Sequence, residues 1–325
     1  MFTISREIRI PINPRDPPEV TPIEQAARDG NFTELKRLYE EEKCELISQV
    51  IVAAAEHGHL DCLQYAHRQG CKWDVLVLTK SAYNGHLHCL QYALENGCNP
   101  LIPTIVIALA ANGGQLECLK YLREEKHFSW DSETPRNAAA AGRLECLKYA
   151  HENGCEWNEQ TCEVAAAMGH LECLKYAYEH GCPFSVNTAK FASDQGELEC
   201  LKYVYEHGGE MNKQVIQFAA KKGRYHCLEY ALQVGCEYDI KDVLSAFNNN
   251  FGKDWFKLDF QQYSFLRNLL FPHVDTDVMN ANMNAELYEV CKAQRDEIEL
   301  QIKYAYQECD QLPINVIEFI LIKYI

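Results

Sequence analysis

Apolar and polar positions along this chain follow two helical registers that recur as a pair. In Leu171-Glu172-Cys173-Leu174-Lys175-Tyr176-Ala177, apolar Leu171, Leu174, Tyr176 and Ala177 interleave with polar Glu172 and Lys175, the pattern of a helix with one buried face. Ahead of it, Thr161-Cys162-Glu163-Val164-Ala165-Ala166-Ala167-Met168 predicts a shorter helix whose alanines give a slim face for close packing. Gly169 between the two and Gly181 after the second supply the left-handed backbone that ends a helix and turns the chain. Thr134, Thr161 and Thr188 stand where the shorter helices would need N-caps. The predicted unit is therefore a helical hairpin.

That unit repeats. Gly58-His59-Leu60-Asp61-Cys62-Leu63-Gln64-Tyr65-Ala66 returns from Gly142 to Ala150 and from Gly169 to Ala177, with variants from Gly85, Gly114, Gly196 and Gly223 and a more distant copy from Gly30. The intervals between these glycines are 28, 27, 29, 28, 27, 27 and 27 residues. A hairpin of this size cannot bury its apolar face alone, so neighbours must stack, and stability becomes a sum over nearest-neighbour interfaces.

Thr21-Pro22-Ile23-Glu24-Gln25-Ala26-Ala27-Arg28-Asp29-Gly30-Asn31 resembles the ankyrin signature T-P-L-H-x-A-A-x-x-G-N, lacking only the His. Residues 169–182 are similar to the ankyrin second helix, with Cys173 and Cys182 in place of a Val and an Ala. The resemblance runs from Thr21 to Asp239 and implies an all-α, ankyrin-type helical-hairpin solenoid; beyond Pro272 the composition changes and predicts a helical C-terminal region, with a long helix from about Asn284 to Glu308. Ankyrin repeats run about 33 residues. The missing residues fall where the β-hairpin finger would be, which predicts shortened β-turn loops and moves the expected contact surface towards the first helices. The short form is similar to the ankyrin arrays of giant DNA viruses and some protists. The expected organisation is an extended N-terminal arm over 1–20, repeats over 21–239, and a degenerate repeat plus helical region over 240–325.

The 16 cysteines change little. Cys62, Cys89, Cys118, Cys146, Cys173, Cys200 and Cys227 form one column and Cys71, Cys98, Cys155, Cys182 and Cys236 a second, as small apolar core residues would, without the clustered spacing of metal ligands. His59, His86 and His170 follow the helix-ending glycines and are read as helix-end hydrogen-bonding groups. Glu117/Lys120, Glu145/Lys148, Glu172/Lys175 and Glu199/Lys202 fit a solvated helix face. Trp73, Trp130, Trp157, Phe184 and Tyr238 recur after the second helices, open to two readings: packing, or anchoring a partner. No phosphate loop, nucleophile elbow, zinc-protease or kinase motif is present, so no enzyme activity, catalytic residue, metal or cofactor is expected.

A formal charge of −16 argues against nucleic acid as partner and for a basic or neutral protein. Charges at Arg6, Glu7 and Arg9 interrupt any signal-peptide-like stretch, and no apolar run is long enough to span a bilayer. No membrane association is expected, and the expected location is cytoplasmic, in a host cytoplasm or virion if the chain is viral. Side chains needed for stacking should look alike in every copy, whereas the two positions before each glycine vary. Glu56, Tyr83, Asn84, Met168, Asp194 and Lys221 are therefore the expected partner contacts; unconstrained surface is the other reading of the same variation. At the C-terminus, Leu312, Pro313, Ile317, Ile320 and Leu321 resemble the opening of an F-box, placed like the PRANC segment of poxvirus ankyrin proteins. That resemblance implies docking onto Skp1 of a cullin-type ubiquitin ligase, while the same spacing also fits a capping helix. Three functions follow: a protein-binding scaffold, an F-box-like substrate adaptor, and a structural subunit of a larger viral or host assembly.

Overall fold

The computed structural model of the protein describes residues 20–238. The arm expected over 1–20, apart from Val20, the region 240–325, and with it Leu312, Pro313, Ile317, Ile320 and Leu321, lie outside the described residues. The chain divides into two compact units, Met1–Glu156 and Trp157–Ile325. The described residues form helices and turns, with no strand among them, in keeping with the shortened loops.

The first unit contains five hairpins: α1 (Pro22–Arg28) with α2 (Phe32–Glu40), α3 (Ser48–His57) with α4 (Leu60–Arg68), α5 (Leu76–Asn84) with α6 (Leu87–Glu95), α7 (Pro103–Gly113) with α8 (Leu116–Lys120), and α9 (Glu133–Ala140) with α10 (Leu144–Glu152). The described residues of the second unit contain three: α11 (Glu159–Ala167) with α12 (Leu171–Glu179), α13 (Thr188–Gln195) with α14 (Leu198–Glu206), and α15 (Lys213–Lys222) with α16 (Tyr225–Gln233). Within each unit the first helices pack on first helices and the second on second. The first-helix layer closes through Ala54, Ala82, Ala110 and Ala138 in one unit and Ala165, Ala192 and Ala219 in the other, all buried. The second-helix layer is filled by one leucine per hairpin, including Leu63, Leu90, Leu147, Leu174 and Leu201. Each such leucine contributes about 1.5–3 kcal/mol by burial.

The capping threonines are a correction. Thr134, Thr161 and Thr188 lie inside the first turn and are fully buried. Capping falls to residues three positions earlier. Asp74, Asp131, Asn158 and Asn212 accept the backbone N–H two residues on at 2.9, 3.0, 3.1 and 3.0 Å, and Ser185 does the same for Asn187 at 3.0 Å. A short polar side chain ahead of the helix reaches the orphan N–H groups, whereas a side chain within the first turn points at the stack.

The one-residue departures from 27 are absorbed at the second helices, and the two-residue departure between Gly85 and Gly114 falls ahead of and within α7, which runs 11 residues. After α8 the chain continues as a π-turn over Tyr121–Glu125, the usual way to accommodate one extra residue in a helix. In the two hairpins lengthened by one residue, Lys43 and His127 adopt the positive φ that Gly70, Gly97 and Gly154 take elsewhere.

Candidate protein-interaction surface

The residue after a helix-ending glycine ties one hairpin to the one before at His59, His86, Arg143 and Arg224. Nε2 of His59 lies 2.9 Å from the carbonyl of Arg28, and that of His86 lies 3.0 Å from the carbonyl of Glu56. A carbonyl can only accept, so Nε2 carries the proton, and burial holds the His86 pKa below the usual imidazole value. Arg143 and Arg224 donate from Nε to Asn112 and Asp194 carbonyls in the same way, at 3.2 and 3.3 Å. The helix-end reading of His59 and His86 is thus what the structure shows.

Among the described residues every cysteine but Cys44 is buried. Burial pushes the Cys89, Cys118 and Cys146 thiols up to about 11 and those of Cys62, Cys200 and Cys227 up to about 12. The second column does more than fill space. Sγ of Cys71, Cys155, Cys182 and Cys236 donates to the carbonyls of Ile47, Asp131, Asn158 and Asn212, each 24 residues earlier, at 3.4, 3.3, 3.1 and 3.3 Å. Each thiol therefore closes its own hairpin, start to end. Cys44 belongs to this column and was hidden by the one-residue insertion at Lys43.

The aromatics after the second helices pack for the most part. Trp73 stacks on His67 at 4.3 Å, meets Tyr92 edge-on and donates its indole N–H to the Asn96 carbonyl at 2.9 Å. Trp130 meets Tyr149 and Trp157 meets Tyr176 edge-on at 6.1 Å, and Phe184 stacks on Tyr178 at 4.3 Å. Tyr238 is exposed. The four Glu/Lys pairs on the second helices are solvent-facing ion pairs, with N–O distances from 2.8 to 3.2 Å.

The six expected contact residues sit at first-helix C-termini, three in each unit. In the first unit, Tyr83 is 42% exposed, whereas Glu56 is half-buried and bound to Lys80 Nζ at 2.6 Å. Asn84 turns its amide back onto the Lys80 carbonyl at 3.1 Å. In the second unit, Met168 is 56% exposed and Lys221 is exposed at the end of α15. Asp194 is half-buried and accepts from the Gln195 amide at 2.8 Å. The pattern of variation did not flag Leu76, Leu101, Ile102 and Ile105, which are also exposed. Their signal was available: Leu101 occupies the column that holds Asp, Asn or Ser in most other hairpins.

An open depression of about 610 Å³ between the turns after α2 and α4 is lined by Tyr39, Glu40, Lys43, Cys44, Glu45 and Cys71, among others. Among the described residues no group of three or more His, Cys, Asp or Glu is placed to hold a metal, and no helix is long and apolar enough to cross a membrane.

Residues 78–161 match the family model described as ankyrin repeats, in three copies. No curated protein matches the chain in sequence. Among solved structures, the crystal structure of the human ASB11 ankyrin repeat domain is similar at 18% identity and a TM-score of 0.37, covering 66% of this chain and 97% of that one. Ankyrin repeats are in general protein-interaction modules rather than enzymes. The repeating hairpins, their helix-ending glycines and the family match together make residues 78–161 ankyrin repeats within an all-α ankyrin solenoid fold.

Proposed function

We propose that the chain is a non-catalytic scaffold that holds a partner protein on the C-terminal ends of its first helices, through Glu56, Tyr83, Asn84, Met168, Asp194 and Lys221. One observation carries this reading. Around each of these helix ends the framework is fixed by a glycine, the residue after it and a pair of small buried residues, Ala or Ser, yet the side chains just before the glycine differ from copy to copy and reach solvent at Tyr83, Met168 and Lys221. Residues that neither pack nor cap are available for recognition.

The test is a partner recovered with the full chain from cytosolic extract, measured again with Tyr83→Ala, Asp194→Ala and Lys221→Ala combined. The expected result is an unchanged melting curve with affinity reduced at least about tenfold, since hot-spot truncations cost about 1 kcal/mol or more each. Undiminished binding would move the interface off these helix ends.

A second reading, an F-box-like adaptor, rests on the resemblance at Leu312, Pro313, Ile317, Ile320 and Leu321. Comparing the full chain with one ending at Asp310 separates the two. Skp1 and a cullin retained by the full chain alone would establish the adaptor; identical partners with both chains would leave the scaffold. Co-purification in fixed stoichiometry with other subunits would instead favour a structural role in an assembly.

A further inference from the structure

Exposed aliphatic side chains gather on two neighbouring hairpins of the first unit. Val75 and Leu76 open α5, Leu101 and Ile102 lead into α7, and Ile105 follows on α7 itself, which packs on α5. Leu101 is 83% exposed, Ile102 53% and Ile105 47%. Ile102, Ile105 and half-buried Leu109 succeed each other at helical spacing, and exposed Tyr83 continues the line of Leu76 along α5. Single exposed apolar residues are ordinary, whereas a contiguous apolar patch with a polar rim marks a contact site.

The surroundings specify the occupant. Five other hairpins place Asp74, Asp131, Asn158, Ser185 or Asn212 at the turn position of Leu101. Pro103, two residues on, has no N–H to cap, so a polar side chain is not required there; nothing in the fold, however, rewards a leucine left in water. From Ser81 to Leu116, Glu95 is the one charged side chain, in a chain carrying −16, and it ends α6 in the second-helix layer. The acids bordering the patch are each occupied. Glu56 binds Lys80 at 2.6 Å and Glu133 binds Arg136 at 2.9 Å, while Asp74 and Asp131 cap backbone N–H groups. The patch is therefore neutral, and an apolar face laid on it meets no unpaired carboxylate. In the turn ahead of α5, four residues before Leu76, Lys72 is exposed and has no ionic partner among the described residues. The rows on α5 and α7 lie side by side, and α7 is 11 residues long, about 16 Å at 1.5 Å per residue.

Resting on the scaffold reading, we infer that the α5–α7 surface docks the apolar face of an amphipathic helix from a partner protein, about three turns long, with a carboxylate at the end that meets Lys72. The rows of Leu76 and Tyr83 on one side and Ile102 and Ile105 on the other receive residues spaced at i, i+3, i+4 and i+7. Lys72 fixes which way round the helix lies.

The probe is a displayed library of 16-residue amphipathic helices selected on the full chain, with affinities measured by fluorescence anisotropy. Selected peptides should bind the wild-type chain and lose tenfold or more with Ile102→Glu and Ile105→Glu together. Val186→Glu, at an exposed aliphatic residue of the second unit, should leave binding unchanged. Lys72→Glu should weaken it severalfold at low salt and less at high salt. Circular dichroism melts check folding; if the double variant does not fold, Leu101→Glu, in the turn ahead of α7, takes its place. Binding indifferent to these substitutions, or selection of no helical peptide, overturns the site. Self-association that Ile105→Glu abolishes also overturns it, by making the occupant a second copy of the chain. Peptides that bind elsewhere on the repeats would leave the scaffold reading intact; a chain that binds no protein by any face would remove both.

Discussion

At Gly58 two demands coincide: its φ is +79°, and a Cβ there would lie 2.4 Å from Nδ1 of His86, whose ring is held by its bond to the Glu56 carbonyl. At Gly70 φ is +90° but a Cβ would meet nothing within 4 Å. Gly70→Ala should therefore cost about 1–2 kcal/mol of backbone strain, and Gly58→Ala clearly more, because the ring must also leave its place; chemical denaturation of the two variants compares them. Equal losses would mean that the ring moves freely. The thiols give a second prediction. Their ordinary pKa is 9.0 and burial raises it to about 11 or 12 at Cys89, Cys118, Cys200 and Cys227. An acid with a raised folded pKa holds its proton more tightly when folded, so its stabilisation is complete below pH 9.0 and is lost as pH rises towards those values. The melting temperature should fall progressively above about pH 9, and thiol alkylation at neutral pH should await unfolding. The sequence made the burial of both cysteine columns legible through their period. It did not show the thiol-to-carbonyl bonds, because a small apolar residue and a weak donor look alike in a column.

The hairpins depend on groups that a helical pattern does not display. Asn158 caps α11 at the Gln160 N–H, so Asn158→Ala should destabilise the protein by about 1 kcal/mol. Thr161 is fully buried and its hydroxyl has no hydrogen-bond partner, so Thr161→Val should be tolerated or mildly stabilising. Equilibrium unfolding of the pair tests the capping assignment directly; the reverse order would restore Thr161 to the cap. The threonine column was regular enough to suggest capping, and the error came from register. A shift of three residues moves a side chain from the turn ahead of the helix to its buried face, and only the backbone path through the turn fixes which applies. Leu101 belongs to the same lesson: its place in a capping column was visible in the sequence, but its exposure was not.

Over the whole chain, the charge of −16 opposes compaction and is screened by salt. Raising ionic strength from about 0.02 to about 0.3 M should raise the melting temperature, since the exposed Glu/Lys pairs that salt weakens contribute little. A fall would mean that local ion pairs outweigh the overall repulsion. The period of the glycines, the alternation of slim and leucine-bearing helices, and the absence of catalytic spacing were fixed by the sequence itself, because stacking demands the same side chain at the same place in each copy and repetition makes that demand readable. The surface carries no such demand. A variable residue such as Glu56 spends its polar group on a neighbour almost a whole repeat away, Lys80, whereas Tyr83, Met168 and Leu101 stand open. Only the tertiary structure brings such neighbours together, since a contact between hairpins has no period within either one.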